Sequence, residues 1–150
     1  MDQSVRNLLN KKMKLGGQEL NVTDVLLLAA ITVLAVWVRT AVRSFVAQDW
    51  TDYWSLWLEE LRAGGFKALA GNFYDYAPPV MYLLYLITLL PINSMTAFKA
   101  FCCMLDFVGA GLIGNMVTDC TGSKKRGMLA YGVFLFLPTV ILNAAVWSQC

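Results

Sequence analysis

Six charged side chains stand where their type and spacing could do chemistry. Asp49 and Asp52 lie one helical turn apart, and paired carboxylates can activate a hydroxyl or help hold a metal. The same two residues also read as local structure, Asp49 as an N-cap and Asp52 as support for the first turn of the helix that follows. Arg39 and Arg43 are four residues apart on one helical face. Two guanidinium forks at that spacing suit a lipid phosphate, and snorkelling to headgroups is the plainer use. Lys99 and Asp106 fall two turns apart on one face. Asp106 lies near mid-bilayer, where a carboxyl is costly unless paired or wetted, so it turns toward other helices, either for packing or for catalysis.

The rest of the composition narrows the chemistry. The chain has 150 residues and no histidine, so acid and base work falls to carboxylates. The four cysteines, Cys102, Cys103, Cys120 and Cys150, contain no CxxC and suggest neither a zinc site nor a disulfide framework. They read as small buried apolar side chains. A net charge of +2 gives no field suited to nucleic acid.

These residues need elements to hold them. The chain is 58% hydrophobic and 15% charged, with a mean hydropathy of +0.56, and its apolar residues are gathered in long blocks, which points to lipid as the solvent. The expected fold is an all-α integral membrane protein with about three transmembrane helices. Residues 1–22 form a basic tail with Arg6, Lys11, Lys12 and Lys14, which the positive-inside rule keeps in the cytoplasm. Residues 23–44 form the first span, and residues 45–96 an outer loop. In that loop Trp50, Tyr53, Trp54, Trp57, Leu58 and Leu61 repeat at helical spacing, so residues 50–63 predict an amphipathic helix in the membrane interface, stopped by Gly64 and Gly65.

Residues 80–90 follow Pro78-Pro79 and are too short to cross about 30 Å of hydrocarbon, which predicts a short re-entrant, membrane-embedded helix. A second span over residues 97–118, a basic cytoplasmic loop over 119–127 with Lys124, Lys125 and Arg126, and a third span over 128–147 bent at Pro138 complete the chain. Ending directly after a membrane segment, at Ser148-Gln149-Cys150, it reads as a truncated piece of a longer protein. The sequon Asn21-Val22-Thr23 falls on the cytoplasmic side and is discounted for glycosylation.

The order of these pieces resembles the N-terminal part of the C-superfamily membrane glycosyltransferases, mannosyltransferase-like enzymes that use polyprenyl-phosphate sugars. The resemblance runs through Asp49-Trp50, Trp57, Gly64-Gly65-Phe66, Ala68-Leu69, Tyr76-Ala77-Pro78-Pro79 and Tyr82-Leu83-Leu84. It continues through Lys99, Asp106-Phe107, Pro138 and the stretch Asn143 to Cys150, covering about residues 25–150. Such proteins usually have Gly where Ser148 stands, run on into an Asp, and carry Gly or Ser at the position of Gln48.

The resemblance implies an inverting transfer of a hexose from a polyprenyl-phosphate donor to a sugar or glycan acceptor at the outer face of the inner membrane. Asp49 matches the loop acid that deprotonates or orients the acceptor hydroxyl, with Asp52 as acidic support. Arg39 and Arg43, by position, and Lys99 become candidates for the lipid phosphate. A divalent cation is used by some relatives and not others, and Asp49 with Asp52 is not a complete ligand set, so no metal ligand is assigned. Two rival readings remain: a small non-catalytic scaffold or accessory subunit, and a transporter fragment with Lys99 and Asp106 as an ion relay.

Overall fold

The structure, a computed structural model, describes residues 3, 10–15, 18–71 and 77–148. These are helical apart from one short antiparallel hairpin in the basic tail, β1 (Lys12–Leu15) and β2 (Gln18–Asn21), with Lys12 opposite Asn21 and Leu15 opposite Gln18. The hairpin leads into α1 (Val22–Val42), whose first amide donates to the Lys11 carbonyl at 3.1 Å. Asp24, at the third helical position, accepts from the Asn21 amide at 3.3 Å and helps fix the start of the helix. Twenty-one residues rise about 30 Å, the thickness of the hydrocarbon core. Only Ala35 and Arg39 of α1 are buried, while Leu26, Leu27, Val33, Leu34 and Trp37 are exposed, as expected for a helix solvated by lipid.

The described residues of the expected outer loop fold into a helical cluster. A π-helical turn (Trp50–Trp54) runs directly into α2 (Ser55–Gly64), where the sequence predicts one regular helix over 50–63. Gly65, at φ 60°, ends α2 in a region that favours glycine, and a 3-10 turn (Gly65–Ala70) follows. The expected aromatic stripe exists, but apart from the exposed Tyr53 it faces protein. Trp50, Trp54, Trp57, Leu58 and Leu61 pack against Met81, Leu84 and Ile87 of α3 (Pro78–Thr88) and against Ala97 and Phe98 of α4 (Ser94–Thr121). The Phe98 ring lies 4.9 Å from Trp54, and Trp54 meets Trp57 edge-on at 5.5 Å. Periodicity predicts a buried face without naming what buries it, and here neighbouring helices do so. The eleven residues of α3 rise only about 16 Å, too short to cross.

The helix α4 begins three residues before the expected span because Asn93 caps it, its side chain accepting from the Thr96 amide at 3.1 Å. It ends at Gly122, which takes the left-handed conformation at φ 63°. Lys124 already belongs to α5 (Lys124–Leu135), so the expected basic loop over 119–127 shrinks to Gly122-Ser123 and the three cations occupy the first turn of α5. After Leu135 the chain bends by 51° and continues as α6 (Pro138–Ile141) and a second π-helical turn (Leu142–Val146). Pro138 lacks the amide that would continue α5 and starts the next helix instead. The described residues thus contain two helices long and apolar enough to cross a membrane, or three if this bent pair is one span.

The tight turn at Gly122 folds α5 back along α4, and glycines let the two backbones approach. A Cβ on Gly114 would sit 3.1 Å from the Gly127 carbonyl oxygen, and one on Gly127 would overlap the Thr118 hydroxyl. Further up, Ala35, Ala110 and Leu135 form a small core where α1, α4 and α5 meet. Beside it Thr32 and Tyr131 share a hydrogen bond at 2.8 Å. Gly127→Leu is expected to force α4 and α5 apart and lower stability by about 2 kcal/mol or more. Gly111→Leu, where an added Cβ meets open space, should change little. Unfolding of the two variants in mild detergent compares them.

Candidate functional site

The centre of the helical bundle is a single guanidinium. Arg39 sits one turn before the end of α1, 4% exposed, and its four-residue spacing from Arg43 does not give the two a common fate. Nε and Nη2 donate to Asp106 Oδ2 of α4, at 3.3 and 3.0 Å. Nη1 donates to the Ala35 carbonyl in its own helix at 3.3 Å and to the Leu135 carbonyl of α5 at 3.1 Å. Phe107 lies 5.2 Å from the guanidinium carbon and offers its ring face. The 51° bend beyond Leu135 takes that carbonyl out of the regular helical ladder, and Arg39 supplies its donor. Asp106 therefore pairs with Arg39 across sixty-seven residues of sequence.

Lys99 is buried and acts on backbone. Its ammonium donates to the Arg43 carbonyl at 3.0 Å and to the Phe45 carbonyl, which carries the chain just past the end of α1. A cation at a helix C-terminus meets both the unpaired carbonyls and the negative end of the dipole. Arg43 itself is exposed, and among the described residues its guanidinium has no hydrogen-bond or ion-pair partner.

Arg39, Arg43 and Lys99 come together around one cleft of 430 Å3 between α1 and α4. Thr40 and Thr96 add hydroxyls, and Val36, Ala100, Cys103, Met104 and Phe107 make the rest of its wall apolar. Three cations in a mostly apolar cleft can hold an amphiphilic anion, with charge at one end and hydrocarbon along the other. Cys103 belongs to this wall although its sequence position suggests only packing.

Asp49 lies elsewhere, at the same end of the bundle. It is exposed and lines a pocket of 280 Å3 with Ala47, Gln48 and Trp147. The expected capping role fails: Asp49 already has helical backbone angles, φ −55° and ψ −31°, and its side chain makes no cap hydrogen bond. Asp52 is also exposed, does not line this pocket, and accepts from the Thr51 hydroxyl at 3.2 Å. Among the described residues no group of three or more potential metal-binding side chains gathers.

Two features around Asp49 escape sequence reading. One π-helical turn begins immediately after Asp49 and the other ends immediately before Trp147, so a pair of irregular turns frames the pocket. Such turns are frequent at functional sites. Next to Trp147, Ser148 takes φ 58°, the left-handed region that favours glycine, and its buried hydroxyl has no partner among the described residues. Tyr76, Gln149 and Cys150, named for the resemblance, lie outside the described residues.

Fold and site together define a helical chain with two or three helices able to span a membrane and a cationic cleft at one end of them. No protein family, curated protein or solved structure matches it.

The Arg39–Asp106 pair generates a stability test. Asp106→Leu strands a buried cation and is expected to cost about 3–5 kcal/mol. Adding Arg39→Met should recover part of that loss but leave a deficit of about 1–3 kcal/mol, because the Leu135 carbonyl then lacks its donor. Denaturation of both variants in detergent reads the cycle. Ser148→Gly should instead stabilise the chain by about 1 kcal/mol, since it relieves the left-handed strain and removes an unpartnered hydroxyl; a lowered melting temperature would refute that account.

Proposed function

We propose that this chain is the N-terminal part of an inverting membrane glycosyltransferase, moving a hexose from a polyprenyl-phosphate donor to an acceptor hydroxyl at the outer face of the inner membrane. The observation that carries the reading is the cleft that collects Arg39, Arg43 and Lys99 where α1 ends and α4 begins, with the Asp49 pocket seven residues further on. Cations beside hydrocarbon suit a phosphate whose lipid tail stays in the bilayer. An exposed carboxylate beside an indole suits a sugar hydroxyl.

In this reading the acceptor oxygen attacks the anomeric carbon of the donor hexose from the face opposite the phosphate. Its proton passes to the Asp49 carboxylate as the new carbon–oxygen bond forms. The bond from the anomeric carbon to the phosphate oxygen breaks, and the lipid phosphate keeps the electron pair. Fixed positive charge near the leaving oxygen lowers the barrier because it is already oriented when negative charge develops. Arg39 and Lys99 are held by protein partners and contribute through their fields; Arg43 is the one able to reach the phosphate directly.

Lys11 and Lys12, before α1, and the Lys124–Arg126 cluster lie at the other end of the helices from the two pockets, and the positive-inside rule supports a cytoplasmic side for these cations and an outer side for the pockets. The ion-relay alternative is disfavoured by geometry. Asp106 is engaged by Arg39 and Lys99 by the end of α1, so neither is left to pass an ion to the other.

In the full-length protein Asp49→Asn is expected to slow transfer from a polyprenyl-phosphate hexose by a factor of about 10² to 10⁴. Asp52→Asn should leave it near the parent rate. Undiminished turnover of Asp49→Asn at equal expression removes Asp49 as the base.

A further inference from the structure

The cleft between α1 and α4 carries more positive charge than a phosphodiester can balance. Its wall contains three cations and no carboxylate. Asp106 neutralises Arg39 through their ion pair at 3.0 Å. Lys99 is only partly offset, since its partners are backbone carbonyls at the end of a helix, which together carry about half a negative charge. Arg43 is not offset by any described residue. The cleft therefore presents between one and two uncompensated positive charges. A phosphodiester carries a single negative charge, whereas a phosphate monoester, with its second pKa near about 6, carries close to two at neutral pH.

The walls restrict what bears that phosphate. Val36, Met104 and Phe107 line the cleft, and the flanking faces of its two helices, with Val33, Trp37 and Val108, are exposed and apolar. A ligand seated there has hydrocarbon running out between α1 and α4, so inorganic phosphate would leave most of the wall unused. We infer that the α1–α4 cleft is a site for a membrane lipid bearing a phosphate monoester, and that it holds the monoester more tightly than the corresponding diester, with Arg43 as the cation that closes on the second charge.

This rests on the lipid-phosphate part of the function proposed above and not on Asp49. Its consequence for such a transferase is regulatory. The donor is a diester and the released lipid phosphate a monoester, so the product outcompetes the donor for the same cleft and turnover slows until the product is removed. A reaction class that recaptures or re-esterifies the lipid monophosphate must then act next.

The test uses the full-length protein in nanodiscs without acceptor, so that binding is read apart from transfer. Four lipids are compared by native mass spectrometry: a polyprenyl monophosphate, its methyl phosphodiester, phosphatidic acid and phosphatidylglycerol, with inorganic phosphate as competitor. Each monoester is expected to bind about tenfold more tightly than its diester, the scale of roughly one extra charge near a cation at a partly wet site. Arg43→Gln should abolish most of that ratio and Arg43→Lys should keep it; Arg43 is exposed and makes no side-chain contact that folding depends on. The tighter of the two monoesters identifies the lipid, a polyprenyl chain or a glycerolipid. Equal affinity for monoester and diester overturns the proposal, as does an unchanged ratio in Arg43→Gln or full displacement by inorganic phosphate at the lipid's own concentration. Loss of the monoester preference with normal transfer would leave the transferase reading standing, whereas normal preference with undiminished transfer by Asp49→Asn would remove Asp49 and leave this inference intact.

Discussion

A buried guanidinium on α1 organises the membrane-length part of this chain. A charge moved from water into an apolar interior costs several kcal/mol unless it is paired and fully hydrogen-bonded, so Arg39 must bring its partners with it. It does so on three helices at once: the Ala35 carbonyl of α1, the Asp106 carboxylate of α4 and the Leu135 carbonyl of α5. The consequence is largest for α1. That helix buries only Ala35 and Arg39, and besides the Thr32–Tyr131 hydrogen bond and the packing of Ile31 most of its surface is exposed and apolar, with little to distinguish one rotation or depth from another. The polar contacts of Arg39 choose one, and with it the position of Arg43 and the line of the cleft against α4.

The two buried cations share a logic set by the solvent. In a buried apolar setting no water completes a broken helical ladder, so each freed carbonyl needs a donor from the protein. Pro138 and the bend release the Leu135 carbonyl, and Arg39 answers it; the end of α1 releases those of Arg43 and Phe45, and Lys99 answers them. Residues that look like ligand-binding groups are first of all backbone caps. Asp106 balances the charge of Arg39, whereas Lys99 keeps part of its own in the cleft, because carbonyl dipoles orient a cation without fully cancelling it. The same side chains thus cap backbone and line the cleft, and only the Arg43 guanidinium, past the last full turn of α1, is left outside that network.

Much of this was legible in the sequence, and what was not has physical causes. The apolar blocks, the short helix that Pro78-Pro79 opens and the bend at Pro138 follow from length, composition and proline geometry. Arg39 and Arg43 were recognisable as a cationic pair from their spacing, and Lys99 joined them only through the resemblance. Their different fates were not recognisable, since each depends on a partner far away in the chain. Asp106 shares a face with Lys99 by spacing, yet pairs with Arg39, because the way α1 lies beside α4 and α5 sets which charges meet. The stripe from Trp50 to Leu61 has the right period for an interfacial helix, but a headgroup layer and a wall of Phe98, Met81 and Leu84 demand the same pattern.

The region of Asp49 argues against anchoring as the whole purpose of the outer loop. An anchor needs regular amphipathic helix and apolar area, and α2 with its tryptophans supplies both. It does not need what stands on either side of Asp49 and Trp147: two π-helical turns, and a serine held in left-handed geometry with its hydroxyl buried and unpartnered. Irregular backbone of this kind costs free energy and persists only where surrounding packing enforces it. Here the enforcing contacts are those of the tryptophan cluster, which Ala144 of the second π-helical turn joins, so the two turns are held by one core. They converge on one small pocket with a carboxylate at its edge, beside the segment that leads back to Arg43. A loop built only to lie on a membrane would gain nothing from that convergence. A site that must hold a carboxylate at a fixed place beside a cationic cleft would.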